Sequence, residues 1–164
     1  MKPLQLSLQA FGPFAQQQTL DFSQLGDYPL FLINGATGAG KSTLLDAMCF
    51  ALYGQTSGKE RDATQMRCDH ADQNTITEVD FIFSIGTEIY RVYRMPMQER
   101  AKARGEGTTT QQTEASLWHI GATHNPIDNT SDIEGTLIIS KSAQQVNQKV
   151  IELLGLNVEQ FRQV

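Results

Sequence analysis

The sequence predicts an α/β fold in which a buried strand leads through a phosphate-binding loop into a buried helix. The first observation is an apolar run over residues 30–33, Leu-Phe-Leu-Ile, which is typical of a strand buried on both faces. The second is the segment Gly35-x-x-x-x-Gly40-Lys41-Ser42, followed by the apolar pattern of a helix. This spacing between a strand and a helix is that of a P-loop, and it predicts a P-loop NTPase fold.

Each residue type in the loop has a role in binding a nucleoside triphosphate. Glycines allow successive backbone N–H groups to turn inward around an anion, and the helix N-terminus that follows favours negative charge. Lys41, the catalytic candidate, is expected to contact the β- and γ-phosphates, and the Ser42 hydroxyl is expected to bind Mg²⁺. The predicted nucleotide-binding residues of the loop are Asn34, Gly35, Ala36, Thr37, Gly38, Ala39, Gly40, Lys41, Ser42 and Thr43.

The elements on either side of the loop follow from hydrophobic periodicity. Leu4, Leu6 and Leu8 alternate with polar residues, which predicts a half-buried strand. Turn residues separate the later runs, and a period near 3.6 residues marks the helices. The other predicted strands cover residues 19–22, 115–120 and 136–139, and two more, over 76–84 and 87–95, form a hairpin. Helices are predicted over 41–53, ended by Gly54, and over 141–154, ended by Gly155, with a further element over 157–163. The predicted connections are a turn over 11–14, an irregular segment over 55–74 and a mobile tip over 97–113.

Several polar residues have both a structural and a functional interpretation. Asp46 lies on the predicted helix, and we interpret it as a hydrogen-bonded residue in preference to a catalytic base. The basic residues between 100 and 104 lie in a segment with interleaved glutamates, which favours a solvated loop over a DNA contact. Asp132-x-x-Gly135 has the spacing of a GTPase switch, but polar residues precede it, so we interpret it as chance. No apolar strand ends in the acidic pair that would hold Mg²⁺ during hydrolysis.

The bulk properties predict one soluble globular domain over residues 1–164. The chain is 40% hydrophobic, and its net charge of −5 gives no overall electrostatic signature of a nucleic-acid binder. Cys49 and Cys68 lack metal-ligand spacing, which predicts reduced thiols. The first 14 residues lack the apolar stretch of a signal or membrane helix, so we expect a cytoplasmic protein without a membrane partner.

Several segments together resemble the SbcC family, the ATPase subunits of SbcCD nucleases and relatives of the SMC proteins. They are LSLQAFGPF, TLDF, INGATGAGKSTLLDAMCFALYG, QMRCDHAD and IELLGLNVEQFRQV. The resemblance implies the N-terminal lobe of an ABC-type ATPase head with an antiparallel β subdomain, truncated before the glutamine-loop residue. A coiled coil and a C-terminal lobe would complete such a protein.

The resemblance also implies the cofactors, the partners and a second contact region. ATP and Mg²⁺ would drive dimerisation with a second copy of the head, and this would gate an SbcD-like nuclease subunit on double-stranded DNA. Arg67, Cys68 and Asp69 resemble a stretch that lies beside the nucleotide. Gly12 and Pro13 stand where some relatives carry an arginine and a serine that reach the nucleotide, so only backbone contacts are expected there.

Three other functions share the P-loop and stay open at the level of sequence. A small nucleotide kinase fits the length, but it conflicts with the two strands before the loop, and phosphorylation of a small acceptor would identify it. A GTPase-like binding module would prefer GTP, and no segment is typical of guanine recognition. An ABC transporter cassette would need a membrane partner.

Overall fold

The computed structural model describes residues 1–26, 31–58, 63–102, 106–122 and 135–163. Within these residues, six strands form an antiparallel sheet in the order β2-β1-β3-β4-β7-β8, and β5 and β6 form a separate ribbon. The strands are β1 (Lys2–Gln9), β2 (Gln18–Asp21), β3 (Glu78–Ile85), β4 (Glu88–Met95), β5 (Gln98–Ala101), β6 (Thr108–Gln111), β7 (Glu114–His119) and β8 (Thr136–Ile139). The helices are α1 (Lys41–Tyr53), α2 (Ala143–Leu154) and the short α3 (Val158–Phe161).

One face of the six-stranded sheet packs against α1 and α2 to form the core. Leu6 and Leu8 of β1 are 0% and 1% exposed, and Val79, Phe81 and Phe83 of β3 are all 0% exposed. Alternate residues of a strand point to the same face, so these side chains share the face that meets α1. The strand predicted from the alternating leucines and the hairpin predicted around residues 85–86 are therefore confirmed.

Helix α1 is the central buried element, and its predicted bounds are confirmed. Residues 43–53 are all buried with the exception of Leu45, which is 52% exposed. Gly54 ends the helix in the left-handed conformation, with φ 72°, and its N–H donates to the Phe50 carbonyl. A helix buried on nearly all sides needs partners on all sides, and here β3, β4 and α2 provide them.

A buried arginine holds the C-terminal end of α1. Arg94 of β4 is 1% exposed, its Nε donates to the Ala51 carbonyl at 2.9 Å, and its Nη2 donates to Asn147 Oδ1 of α2 at 2.6 Å. Burial lowers the pKa of Arg94 to about 10, so the side chain is charged at neutral pH. A cation at the C-terminal end of a helix is stabilising because it compensates the partial negative charge of the last carbonyl groups. Arg94 therefore joins β4, α1 and α2.

The prediction of a buried strand over residues 30–33 is wrong for the part that the structure describes. Residues 31–33 belong to no strand, Phe31 is 43% exposed and Leu32 is 87% exposed, while residue 30 lies outside the described residues. A β-strand is stabilised by backbone hydrogen bonds to a neighbouring strand. Among the described residues, no strand pairs with this run. The run has the apolar composition of a strand, but it lacks a hydrogen-bonded partner strand in the part of the chain that the structure describes.

The segment of residues 97–113, which the sequence predicts as a mobile tip without periodicity, contains two short strands. Strands β5 and β6 form a two-stranded antiparallel ribbon there, while residues 103–105 lie outside the described part. Gln98 anchors the ribbon because its side-chain amide exchanges two hydrogen bonds with the backbone of Thr77, at 2.8 and 3.0 Å. A threonine-rich ribbon exposed on both faces lacks the alternation by which strands are recognised.

The connection predicted as irregular over 55–74 contains a short 3-10 helix at Ala63–Met66, and its residues 59–62 lie outside the described part. The other predicted strands and helices agree with the structure to within a few residues. Strands β7 and β8 and helix α2 are confirmed, and the element predicted from residue 157 is α3, which begins at an Asn157 capping box. Cys49 and Cys68 are free thiols, as predicted, and burial raises the pKa of Cys49 to about 11. The Asp132-x-x-Gly135 motif lies outside the described residues, apart from Gly135.

We expect Arg94→Met to destabilise the fold by about 2 kcal/mol, because it removes charge-assisted hydrogen bonds to buried acceptors. The free energy of unfolding in urea measures this loss. Arg91→Met is the matched control, because Arg91 lies on the opposite face of the sheet in a partly exposed pair with Asp80, which contributes at most about 1 kcal/mol. Equal losses in the two variants would contradict a special role for Arg94.

Candidate functional site

The segment with P-loop spacing forms an exposed loop that leads directly into α1. Gly38 and Gly40 both have φ 86°, a backbone conformation that side chains disfavour. Residues 34–39 are exposed, whereas α1 becomes buried from Thr43 onward. The loop therefore presents its backbone to solvent at the point where the helix enters the core.

The first turn of α1 offers uncapped N–H groups and a hydroxyl. Gly40 is the N-cap residue and provides no side-chain acceptor, and the first N–H groups of a helix have no carbonyl within the helix to which they can donate. Ser42, the second residue of the helix, is exposed. Exposed N–H groups at the positive end of a helix form a binding site for an anion such as a phosphate.

Lys41 lies over the first half of the loop. Its Nζ donates to the carbonyl oxygens of Gly35 and Ala36, at 2.8 and 2.7 Å. An ammonium has three N–H donors, so these two bonds leave a third for another acceptor. The loop thus carries one cation beside its backbone donors.

The turn over residues 11–14 packs against the second half of the loop. A Cβ atom built at Gly40 would lie 2.6 Å from Cζ of Phe14 and 3.0 Å from Cγ of Pro13. In the same way, a Cβ atom at Gly12 would lie 2.4 Å from Cγ2 of Thr43. A side chain of the other segment occupies the space beside each glycine, so the turn and the start of α1 are closely packed.

Asp46 lies one helical turn beyond Ser42 and is buried, with an exposed fraction of 6%. Its Oδ1 atom accepts hydrogen bonds from the backbone N–H of Ser57, at 2.9 Å, and from the Ser57 hydroxyl. The interpretation of Asp46 as a hydrogen-bonded residue is confirmed. Its carboxylate holds the segment that follows α1.

The residues of the loop fit a triphosphate, while only part of a magnesium site is present. The Ser42 hydroxyl is a suitable oxygen ligand, but protein sites for Mg²⁺ add one or two carboxylates to the phosphate oxygens. Among the described residues, no group of three or more histidine, cysteine, aspartate or glutamate side chains is arranged to hold a metal ion.

Backbone contacts join the segment that contains Arg67 and Cys68 to the turn, which itself packs against the loop. Asp69, the next residue, is exposed. The Gly12 N–H donates to the Met66 carbonyl, and the Cys68 N–H donates to the Ala10 carbonyl at 2.9 Å. The Arg67 guanidinium donates to the Thr75 carbonyl and to the Thr77 hydroxyl, at 2.7 and 2.8 Å. Arg67 thus holds the segment before β3.

Two surface hollows lie away from the loop. One, of about 420 Å³, is lined by Arg67, Cys68 and Asp69 together with residues of the β5–β6 ribbon. The other, of about 560 Å³, lies on the polar face of the sheet, where the Arg91 guanidinium binds both carboxylate oxygens of Asp80. Neither of these two hollows includes a residue of the loop.

Sequence reasoning missed the contacts that support the loop. It identified residues 11–14 as a turn but gave no signal that Phe14 contacts Gly40, because the contact joins segments that are distant in the chain. It also missed Arg162, whose Nη2 donates to the Thr56 carbonyl at 2.6 Å and so ties the end of α3 to the segment after α1. Both contacts depend on tertiary structure alone.

Comparison with known proteins agrees with this geometry. A protein-family model described as an AAA domain matches residues 5–164. The chain is 49% identical over 164 residues to the SbcC subunit of the SbcCD nuclease of Vibrio cholerae, and the match covers 100% of this chain and 15% of that protein. It is 40% identical to the SbcC subunit of Lactococcus lactis and 37% identical to that of Staphylococcus aureus strain MRSA252, with the same coverage.

These similarities extend over the whole chain but over a small part of each relative. The resemblance to the SbcC family that the sequence motifs indicated is confirmed. The chain spans about 15% of the length of the curated relatives that it matches. In the part of the chain that the structure describes, no helix has the length and apolar character needed to cross a bilayer.

We expect Gly40→Ala to destabilise the protein more than Gly38→Ala. Both residues have φ 86°, so alanine costs about 1–2 kcal/mol of backbone strain at either position. A Cβ atom at Gly38 meets nothing within 4 Å, whereas one at Gly40 overlaps Phe14. Urea unfolding of the two variants measures the difference, and equal midpoints would contradict the close packing at Gly40.

Proposed function

Because the chain belongs to the AAA domain family, we propose that it binds ATP with Mg²⁺ on the loop of residues 34–43 and is part of an ATPase. The observation that carries the proposal is the uncapped start of α1 beside the Lys41 ammonium. In this proposal, the backbone N–H groups from Gly38 to Thr43 surround the phosphates, Lys41 binds the β- and γ-phosphates, and Ser42 binds Mg²⁺. The magnesium ion would neutralise phosphate charge during hydrolysis.

In this proposal, the segment of residues 67–69 makes fewer contacts with the nucleotide than the sequence resemblance implies. Arg67, Cys68 and Asp69 lie behind the turn that contacts the loop, but the Arg67 guanidinium is already hydrogen bonded to Thr75 and Thr77. Cys68 is 2% exposed, and Asp69 is exposed. Backbone atoms and Asp69 are therefore the parts of this segment that are free to reach a nucleotide.

We further propose that this chain is the N-terminal lobe of a larger ATPase head. Apolar side chains are exposed near the loop, with Phe31 43%, Leu32 87% and Leu45 52% exposed. Burial of exposed apolar side chains against another part of a protein is favourable. The chain also spans about 15% of the relatives that it matches, so other parts of the polypeptide are available to cover them.

At the level of the whole protein, the proposed activity is an ATPase that controls a nuclease acting on double-stranded DNA. The relatives are named as subunits of the SbcCD nuclease, which suggests an SbcD-like partner. Two heads would close over ATP and reopen after hydrolysis, so that the nucleotide shifts the population between two states. A cytoplasmic location is consistent with this role, and the similarity to SbcCD subunits does not favour a small kinase or a GTPase.

We expect Lys41→Ala to weaken ATP binding by about 100-fold, because a charge-assisted contact to phosphate contributes about 3 kcal/mol. Titration with a fluorescent ATP analogue in the presence of Mg²⁺ measures the affinity. Lys149→Ala is the matched control, since this lysine of α2 lies on the surface and pairs with Glu152 of the next helical turn. The proposal is wrong if Lys41→Ala binds ATP as tightly as the unchanged protein.

Hydrolysis by the chain of 164 residues alone is expected to be very slow. The reason is that Ser42 is the only ligand for Mg²⁺ proposed here, and no described acidic cluster completes the site. A steady-state ATPase assay tests this expectation. Rapid turnover that Lys41→Ala abolishes would show that the chain contains a complete catalytic site.

A further inference from the structure

We propose that the turn of residues 10–14 is a positioning element of the nucleotide site, in which Phe14 fixes Gly40 and thereby the phosphate-facing N–H groups at the start of α1. The inference rests on the function proposed above and adds residues that do not themselves touch the phosphates. Phe14 is a positioning residue in this proposal, because it acts through the backbone of Gly40.

The turn is rigid because both of its sides are anchored. Phe11 is 0% exposed, and its ring packs against that of Phe50 of α1, with 5.7 Å between the centroids. On the other side, Phe11 forms a bridge with Arg67, flanked by the hydrogen bonds Gly12 N–H to Met66 and Cys68 N–H to Ala10. Phe11 and Phe14 also exchange two backbone hydrogen bonds, at 3.0 and 3.1 Å, which close the turn.

The backbone of the turn is committed to one conformation. Ala10 has φ 48° and Gly12 has φ 58°, and a left-handed conformation at a residue with a side chain costs about 1 kcal/mol or more. Such a conformation persists where the surrounding structure determines it, and here the core and residues 66–68 do so. The turn therefore gives the loop a fixed surface to pack against.

The contact between the turn and the loop occurs at the residue that sets the direction of the N–H groups. Gly40 is the N-cap of α1, with φ 86°, and it lies so close to Phe14 and Pro13 that no side chain fits between them. A rotation of the backbone at Gly40 would move the Gly40 atoms either into the Phe14 ring or away from the ring. The ring thus favours the backbone conformation that Gly40 has in this structure.

The two halves of the loop are held by different groups. Lys41 holds the first half through the carbonyl groups of Gly35 and Ala36, and it is also the residue expected to bind phosphate. The second half packs at Gly40 against Phe14 and Pro13. Pre-organised donors bind an anion more tightly because less conformational entropy is lost on binding.

The test compares Phe14→Ala with the unchanged protein, using two probes, ATP with Mg²⁺ and inorganic tripolyphosphate. We expect about a tenfold loss of affinity for both probes, because the turn acts on the phosphate-binding backbone that they share. Tyr90→Ala is the control, since it removes a half-buried ring of β4 that stacks on Phe83 at 5.9 Å, away from the loop. The control should keep both affinities.

The outcomes separate positioning from two other roles of Phe14. A loss of ATP affinity with unchanged tripolyphosphate affinity would show that Phe14 contacts the base or the ribose, and it would overturn the proposal. Unchanged affinity for both probes in a folded variant would also overturn it, because the ring would then only fill space. Thermal unfolding of each variant establishes that it is folded.

A second variant keeps the test decisive if Phe14→Ala does not fold. Phe14→Val retains an apolar, branched side chain but lacks the Cζ and Cε2 atoms that lie nearest to Gly40. We expect at least about a threefold loss for both probes, and affinity equal to that of the unchanged protein would overturn the proposal. If Lys41→Ala abolishes binding but neither Phe14 variant weakens it, the positioning role fails and the proposed function stands.

Discussion

The structure depends on one helix, α1, which is largely buried from Thr43 onward, while its first two residues reach the surface. Packing of residues 43–53 against the sheet and α2 fixes the axis of the helix, and Arg94 holds its C-terminal end. With the axis fixed, the positive end of the helix dipole points out of the core at Gly40. The geometry of the candidate site thus depends on the core, because the residues that bury α1 also set the direction of the N–H groups at its start.

The sequence predicted those features that depend on short-range patterns. The bounds of α1 follow from its apolar content and from Gly54, and the β3–β4 hairpin follows from alternation around residues 85–86. The run at 31–33 has the composition of a strand, but pairing is a non-local property, and no described strand pairs with it. Arg94 carried no signal, because a basic residue in a strand normally points to solvent. Only the packing of β4 on α1 and α2 identifies it as a buried link.

In the candidate site, too, some features were predictable from short-range sequence patterns and others were not. The spacing from Gly35 to Ser42 was sufficient to predict the loop, because glycine, lysine and serine each supply a group that phosphate binding requires. The contact of Phe14 with Gly40 was not predictable, since the glycine pattern in the motif is explained equally well by the loop conformation alone. The structure gives Gly40 two separate reasons to lack a side chain, namely its positive φ and the ring beside it.

The two halves of the loop therefore respond to different parts of the protein. The half that ends at Gly40 rests on a turn built from residues 10–14, which the core holds in place. The half that begins at Asn34 follows the exposed run at residues 31–33, and Leu32 alone would contribute about 1.5–3 kcal/mol on full burial. If another part of the polypeptide pairs with this run, its binding and the binding of nucleotide stabilise the same loop, and linkage requires that each then strengthens the other. Weak binding of ATP by this chain and tighter binding by the complete protein would follow from that coupling, with no change in the residues that contact the phosphates.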